Sequence, residues 1–349
     1  MNHRRSRGGY HNRLSAGALV VTLVTGCAPA VVPPAAPADA APGRGWRAER
    51  EAVVAQVNVA RHAAGLPRLA YDAALERVGD AHCEILVAED GRGHFSRSGV
   101  PPYLRYLLAG GHGFHRENVA MFSSSAPVAA SAVGAILARA VVSMLDELPP
   151  NDGHRRALLD RDVTNIGVGL AIRGGEVRMA QELATEATVA WVPPPTVALP
   201  RTRTVLTGRL EPPWRPVEAE VLWEALPHPL SDAELRAIHS YGYPPRRIVF
   251  DANRPPGERG LPHAATAAGP ATETPFTVDK FGNFSFQWTT GPSEGVEIVV
   301  IGATNGRGRE LVPVAVSATV VTETGTLPAE LAFWRHLAGG PSPARGDAP

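Results

Sequence analysis

The sequence predicts an α+β unit followed by a small all-β, sandwich-like domain, and three observations carry that prediction. Apolar residues recur at spacings of three and four through three long segments, which give way to two strand-like runs. A stretch with four prolines, "WVPPPTVALP" at 191–200, then breaks the composition. Beyond it the chain is a series of short strand-like runs separated by turn residues.

Residues 46–64 and 72–90 read as amphipathic helices. In the second, Leu75, Val78, His82, Ile85 and Leu86 share one face, and Asp72 is placed to cap its N-terminus. Between the two, "AGLPRLAYD" (64–72) carries a glycine and a proline and turns the chain. Ala126 to Leu148 is a third helical pattern, stopped by Pro149-Pro150. "TNIGVGLAI" (164–172) and "EVRMAQELA" (176–184), joined by "RGG", form a hairpin signal. Helices followed by strands imply helices laid over a small antiparallel sheet. In the second part, "RTVLTGRL" (203–210), "EAEVLWEAL" (218–226), "RRIVF" (246–250), "PFTVDKFGNFSFQW" (275–288), "GVEIVVIGA" (295–303) and "LVPVAVSATVV" (311–321) read as strands, at a spacing typical of sandwich domains. "SDAELRAIHS" (231–240) reads as one short helix opened by a Ser231/Glu234 capping box. The resulting boundaries are 46–190 for the first domain, 191–202 for an exposed Pro-rich linker, 203–322 for the β domain and 323–349 for a mobile tail. The low-complexity stretch 251–274 reads as a mobile loop. At 349 residues and 44% hydrophobic content, the chain can fill two modest and separate cores.

The N-terminus reads as a targeting segment. A basic region ends at Arg13, and Leu14–Val24 is apolar but, at eleven residues, too short to span a bilayer. It runs into "VTGC", which resembles the lipobox of bacterial lipoproteins, so residues 1–26 are expected to be a lipoprotein signal peptide and Cys27 the acylated residue. Each buried CH₂ of such an anchor contributes roughly 0.8 kcal/mol. The Ala/Pro-rich stretch 27–45 reads as a spacer that lifts the domain off the membrane. Ala28 after the cysteine lacks the aspartate associated with inner-membrane retention, which favours an outer-membrane or cell-surface position. Without Arg4, Arg5, Arg7 and Arg13 the 34 basic residues become 30 against 34 acidic, a net charge of −4. No basic stripe with interleaved aromatics occurs, which argues against a nucleic-acid partner. With Cys27 acylated, Cys83 has no disulfide partner and reads as a small buried side chain.

"GHGFHRENVA" (111–120) gathers two histidines, an arginine, a glutamate and an asparagine at the entrance to an apolar run. It reads as a polar loop or turn forming one wall of a cleft. His94 in "GRGHFSRSG" and His154 in "PPNDGHRRALLD" lie just past the second and third helices, at ends of elements that pack on one sheet. His82 falls on the apolar face of its helix and reads as a hydrogen-bonded core histidine, while His112 and His115 lie near the cleft mouth.

"VNVARHAAGLPRLAYDAAL" (57–75), "HF" (94–95), "RENVA" (116–120), "GHRRALL" (153–159) and "IGVGLAI" (166–172) occur in an order that resembles the CAP superfamily: cysteine-rich secretory proteins, antigen 5, plant pathogenesis-related proteins and SCP-like bacterial secreted proteins. The resemblance covers roughly 48–186. It implies a three-layer α-β-α sandwich whose cleft is lined by two histidines and two acids, and in several members the histidines hold a divalent metal, often zinc. On this sequence His94 and His154 match the histidines and Glu117 the acid of the Glu-Asn motif, with Asn118 pinning the turn through side-chain to backbone bonds. The helix that carries the remaining acid in animal and plant members has none at 134–145; Asp146 and Glu147 at the helix end are the nearest candidates, with Glu147 favoured and Glu182 an outside one. If the site is catalytic, Glu117 and Glu147 are its candidates. Glu117 is expected to meet both His94 and His154 and to favour their imidazolium forms, so that zinc affinity rises with pH. Neither an H-E-x-x-H helix nor a G-x-S-x-G elbow occurs. The leading expectation is a cell-envelope lipoprotein whose cleft binds zinc, another divalent metal, or a small or lipid ligand. The alternatives are a metal-assisted hydrolase of peptide or envelope polymer and an adhesive β domain carrying a vestigial cleft.

Overall fold

The computed structural model describes residues 45–251, 276–305 and 311–339. The signal segment, Cys27, nearly all of the 27–45 spacer and the 252–274 stretch lie outside the described residues, as does the chain after 339.

The first unit is α+β. Helices α1 (Arg47–Ala63), α2 (Ala73–Glu89), α3 (Pro102–Leu108), α4 (Ala130–Leu145) and α5 (Gly153–Leu158) surround strands β1 (Ala70–Tyr71), β2 (Phe114–Ser123), β3 (Asn165–Arg173) and β4 (Glu176–Thr185). The sheet order is β1-β3-β4-β2, so β2 is an edge strand. Asp72 caps α2 by accepting from the backbone N–H groups of Ala74 and Leu75. One sheet face is covered by α1 and α4, where Val57, Leu137 and Val141 meet Ile166, Val168 and Leu183. The other carries α2, whose approach depends on small residues: a Cβ on Gly169 would overlap the Gly79 backbone. That face explains the glycines of "IGVGL".

The second unit is a two-sheet sandwich. One sheet runs β10 (Thr277–Val278), β11 (Asn283–Thr289), β7 (Arg203–Leu210), β5 (Thr188–Val192); the other runs β6 (Val197–Ala198), β13 (Val312–Val321), β12 (Gly295–Thr304), β8 (Arg215–Glu224), β9 (Arg246–Asp251). Phe276, Phe284, Phe286 and Trp288 from the first sheet pack on Val221, Val299, Ile301 and Val314 from the second. Helix α6 (Asp232–Ala237) has the Ser231/Glu234 capping box.

Three expectations are corrected. The stretch 191–200 is not an exposed linker between separate cores: β5 joins the first sheet beside β7, and β6 pairs in parallel with β13. Nor are there two separate cores. The outer face of the larger sheet, through Leu222, Ile298, Val300, Val316 and Val320, packs directly on Leu75, Tyr103, Leu104 and Leu108 of the first unit. The tail is not wholly mobile either, because Ala329–His336 forms helix α7, with Leu331 and Trp334 buried in that same shared core. The physical reason is common to all three: β12 is buried along nine of its ten residues, so both sheet faces need a covering layer.

Candidate functional site

The stretch "FHRENVAMFS" is strand β2, not a loop or turn. Its register against β4 runs unshifted from Phe114↔Thr185 to Ser123↔Glu176 and places Glu117 beside Glu182 and Asn118 beside Gln181. Successive side chains leave the strand on opposite faces, which divides the polar residues into two groups.

On the α2 side, Glu117 is fully buried and is held from three directions. His94 Nδ1 donates to its Oε1 at 2.9 Å, Arg105 Nη2 donates to its Oε2 at 2.5 Å, and His82 Nε2 lies 3.9 Å from Oε2. Burial works to raise this carboxyl, but Arg105, His82 and His94 together outweigh it and hold Glu117 well below the usual carboxylate range. Arg105 is also tied to the backbone: Nη1 donates to the carbonyls of His94 and Val100 at 2.9 Å each. Behind the pair, His115 Nε2 and Glu182 Oε2 are 2.7 Å apart. Burial pushes His115 and His82 each down to about 3, and burial followed by repulsion from Glu117 pushes Glu182 well up, so these groups stay uncharged at neutral pH.

On the α4 and α5 side, Glu147 holds His154. Its Oε1 lies 2.5 Å from His154 Nδ1, and its Oε2 accepts from the backbone N–H of His154 at 2.9 Å. Asn118 Nδ2 donates to the His154 carbonyl at 3.3 Å and to Gln181 Oε1 at 3.2 Å, so Asn118 ties the strand to α5 rather than pinning a turn. The expected meeting of Glu117 with both histidines is therefore corrected: Glu117 meets His94, and Glu147 meets His154. The expected imidazolium is corrected for His154 as well. Burial lowers it, and Glu147 offsets only part of that shift.

Each carboxylate fixes its imidazole with the proton on Nδ1 and leaves Nε2 as a lone-pair donor. Both Nε2 atoms, of His94 and of His154, are buried without a hydrogen-bond partner among the described residues. Among the described residues no group of three or more His, Cys, Asp or Glu side chains forms a metal cage. Each imidazole, backed by its carboxylate, offers one nitrogen that could serve as a ligand, and His94 is near enough to act electrostatically on His154.

Besides Arg105, two features of the site were missed in the sequence. The second unit covers part of it: Tyr241 Oη accepts from the Glu117 backbone N–H at 2.5 Å and its ring meets His94 edge-on at 4.7 Å, while Tyr243 Oη accepts from the His115 N–H at 3.1 Å. The "YGY" spacing, two tyrosines two residues apart, was the available signal. A groove of about 430 Å³ also opens between β2 and α4, lined by Val119–Phe122, Ile136, Ala140, Ser143, Met144 and others, with His154 among its walls.

The edge strand, the two carboxylate-held imidazoles and the three-layer order are features that the CAP resemblance implies. Residues 54–182 match the model of the cysteine-rich secretory protein family. No curated protein matches the chain. Solved structures similar to it include an extracellular protein containing an SCP domain from Bacillus anthracis, at 21% identity over 40% of this chain and 41% of that one, TM-score 0.30. An outer surface protein of Borrelia burgdorferi is 16% identical over 40% of this chain and 95% of that one, TM-score 0.32. A cysteine-rich secretory protein of Staphylococcus aureus is 14% identical over 40% and 39%, TM-score 0.27. This chain thus spans about two fifths of the length of the first and third of these. No helix among the described residues is long and apolar enough to cross a membrane.

Proposed function

We propose that the first unit is a binding module that takes an elongated apolar ligand in the β2–α4 groove, with a polar end at His154. The groove itself carries this reading. Its walls are largely apolar, and His154 presents a neutral, carboxylate-oriented Nε2 with no partner among the described residues. An apolar cleft with few polar groups is the ordinary form of a small-ligand site. The test is titration with 1-anilinonaphthalene-8-sulfonate, an apolar ring system with one anionic end. Dye fluorescence should rise on binding, and Ala140→Trp, which fills the groove, should weaken affinity at least about tenfold, the loss of roughly 1.4 kcal/mol. Equal affinity in the two proteins would sink the reading.

The orphaned Nε2 atoms favour a second reading, a divalent cation such as zinc held by His94 and His154 with water completing the shell. Burial already keeps His154 neutral below its ordinary range, so zinc binding should not need a rise in pH through the histidine range on its account. Calorimetry with zinc at pH 6 and pH 7.5 checks this, and undiminished affinity in His154→Gln would remove the site. We further propose that acyl chains on Cys27 hold the protein at the cell envelope; a Cys27→Ala form that still partitions with membranes would refute the anchor.

A further inference from the structure

Strand β2 is the open edge of its sheet, and its outward row of amides can be followed residue by residue. His115 and Glu117 turn their backbone N–H groups away from β4, since each donates to a tyrosine hydroxyl of the second unit. The β2–β4 register continues without a shift to Ser123. In an antiparallel pair the outward groups recur every second residue, so Val119 and Met121 also turn N–H and C=O outward. Neither finds a hydrogen-bond partner among the described residues.

The groove lies on this same edge. Val119, Ala120, Met121 and Phe122 all line it. Val177 and Met179 of β4, which share a face with Ala120 and Phe122, line it too, so the cavity lies over the α4 face of the sheet and reaches the β2 edge, where Val119 and Met121 also border it. Helix α4 forms the opposite wall.

We propose that the occupant of the groove is an extended peptide that adds to β2 at Val119 and Met121, seating alternate apolar side chains against α4. This rests on the groove reading above and names its ligand class. An acyl chain laid along the edge would bury two N–H and two C=O groups with nothing to bond them, at the full desolvation cost of each. A peptide strand satisfies all four and obtains specificity from alternate side-chain pockets. The protein already uses this edge for its own chain: Tyr241 and Tyr243, two residues apart, match the two-residue period of the outward amides and cover the row as far as Glu117. The open positions are the direct continuation of that interface. Arg139 at the groove wall favours a peptide with an acidic residue at that point.

A display library of random decapeptides, selected on the full chain, tests the proposal. Enriched peptides should carry apolar residues at alternate positions. Met121→Pro removes one outward N–H and leaves the inward ladder to β4 intact, as proline at a sheet edge can; it should weaken the selected peptides at least tenfold, as should Ala140→Trp. Should Met121→Pro fail to fold, amide exchange on the unmodified protein serves instead. Peptide binding should slow the Val119 and Met121 amides at least tenfold and leave Ala120 and Phe122 unchanged. Failure to enrich any peptide, indifference to both substitutions, or unchanged exchange at 119 and 121 would overturn the peptide assignment. If the dye still binds the protein and loses affinity in Ala140→Trp, the groove stands and its ligand is an acyl or other small apolar molecule; if the dye ignores that substitution as well, both readings fall.

Discussion

A fragment ending at Val192 is expected to lack a cooperative unfolding transition. The face of α3 that such a fragment would expose is built for burial: Tyr103, Leu104 and Leu108 are each at most 2% accessible in the whole chain. Their partners come from beyond the cut, in Leu222, Ile298, Val300, Val316, Leu331 and Trp334. Full exposure of one such side chain costs roughly 1.5–3 kcal/mol, and several at once exceed the whole stability of about 5–15 kcal/mol that a domain has. The fragment would also lose β7, against which its β5 pairs. Urea titration followed by circular dichroism and by tryptophan fluorescence provides the check. A single sharp transition, coincident by both probes, would show that the first unit is self-sufficient.

Arg105→Ala is expected to cost about 3–5 kcal/mol, the range for removing one partner of a buried ion pair. The guanidinium is 1% exposed and serves three groups at once: the Glu117 carboxylate and the carbonyls of His94 and Val100. Its loss leaves Glu117 ionised and buried with only imidazoles for company. Arg105→Lys should recover only part of this, because an ammonium has no fork to reach a carboxylate and two carbonyls. Glu117→Gln should also destabilise, since its one carbonyl oxygen can accept from Arg105 or from His94 while its NH2 faces the other donor. The measurement is thermal and urea unfolding of the three variants beside the parent. An Arg105→Ala protein within 1 kcal/mol of the parent, the scale of an ordinary exposed pair, would mean that Glu117 takes up a proton and that Arg105 is not its necessary counter-charge. The effect should extend to the C-terminus, because the Arg105 guanidinium lies 5.5 Å from the ring centre of Trp334 on α7.

The helices and the hairpin of the first unit were legible because their burial is one-sided, and one-sided burial leaves a period. Leu75, Val78 and Leu86 show it in α2, whereas α6, which buries no residue, was legible only from its capping box at Ser231. His94, Glu117 and His154 stood out by motif order, and Glu147 by standing at the end of the helix that precedes His154. What the sequence hid was everything that depends on contact between distant segments. "GVEIVVIGA" reads correctly as a strand, but its unbroken apolar run also states that the strand is covered on both faces, and the first unit supplies that second layer. "FHRENVAMFS" hides as a loop because its polar side chains point into a buried cluster, so alternation of apolar and polar residues is absent. Arg105, with "PYLRYLL" around it, gives no sign that a helix of seven residues carries the counter-charge of the site. The Pro-rich stretch misleads for a similar reason: its prolines separate two short strands that belong to two different sheets.

The tyrosine pair also bears on whether copies of this molecule stick to one another. An uncovered edge strand is a template on which a second copy can lay its own edge, and a third on that one, without end. A phenol hydroxyl takes one amide and then stops; it presents no further row for the next chain to extend. Tyr241 and Tyr243 thereby shorten the adhesive length of β2 from the whole strand to the stretch beyond Glu117. The remnant at Val119 and Met121 is short, so an added strand gains little from backbone bonds alone and most when its side chains also fit the groove.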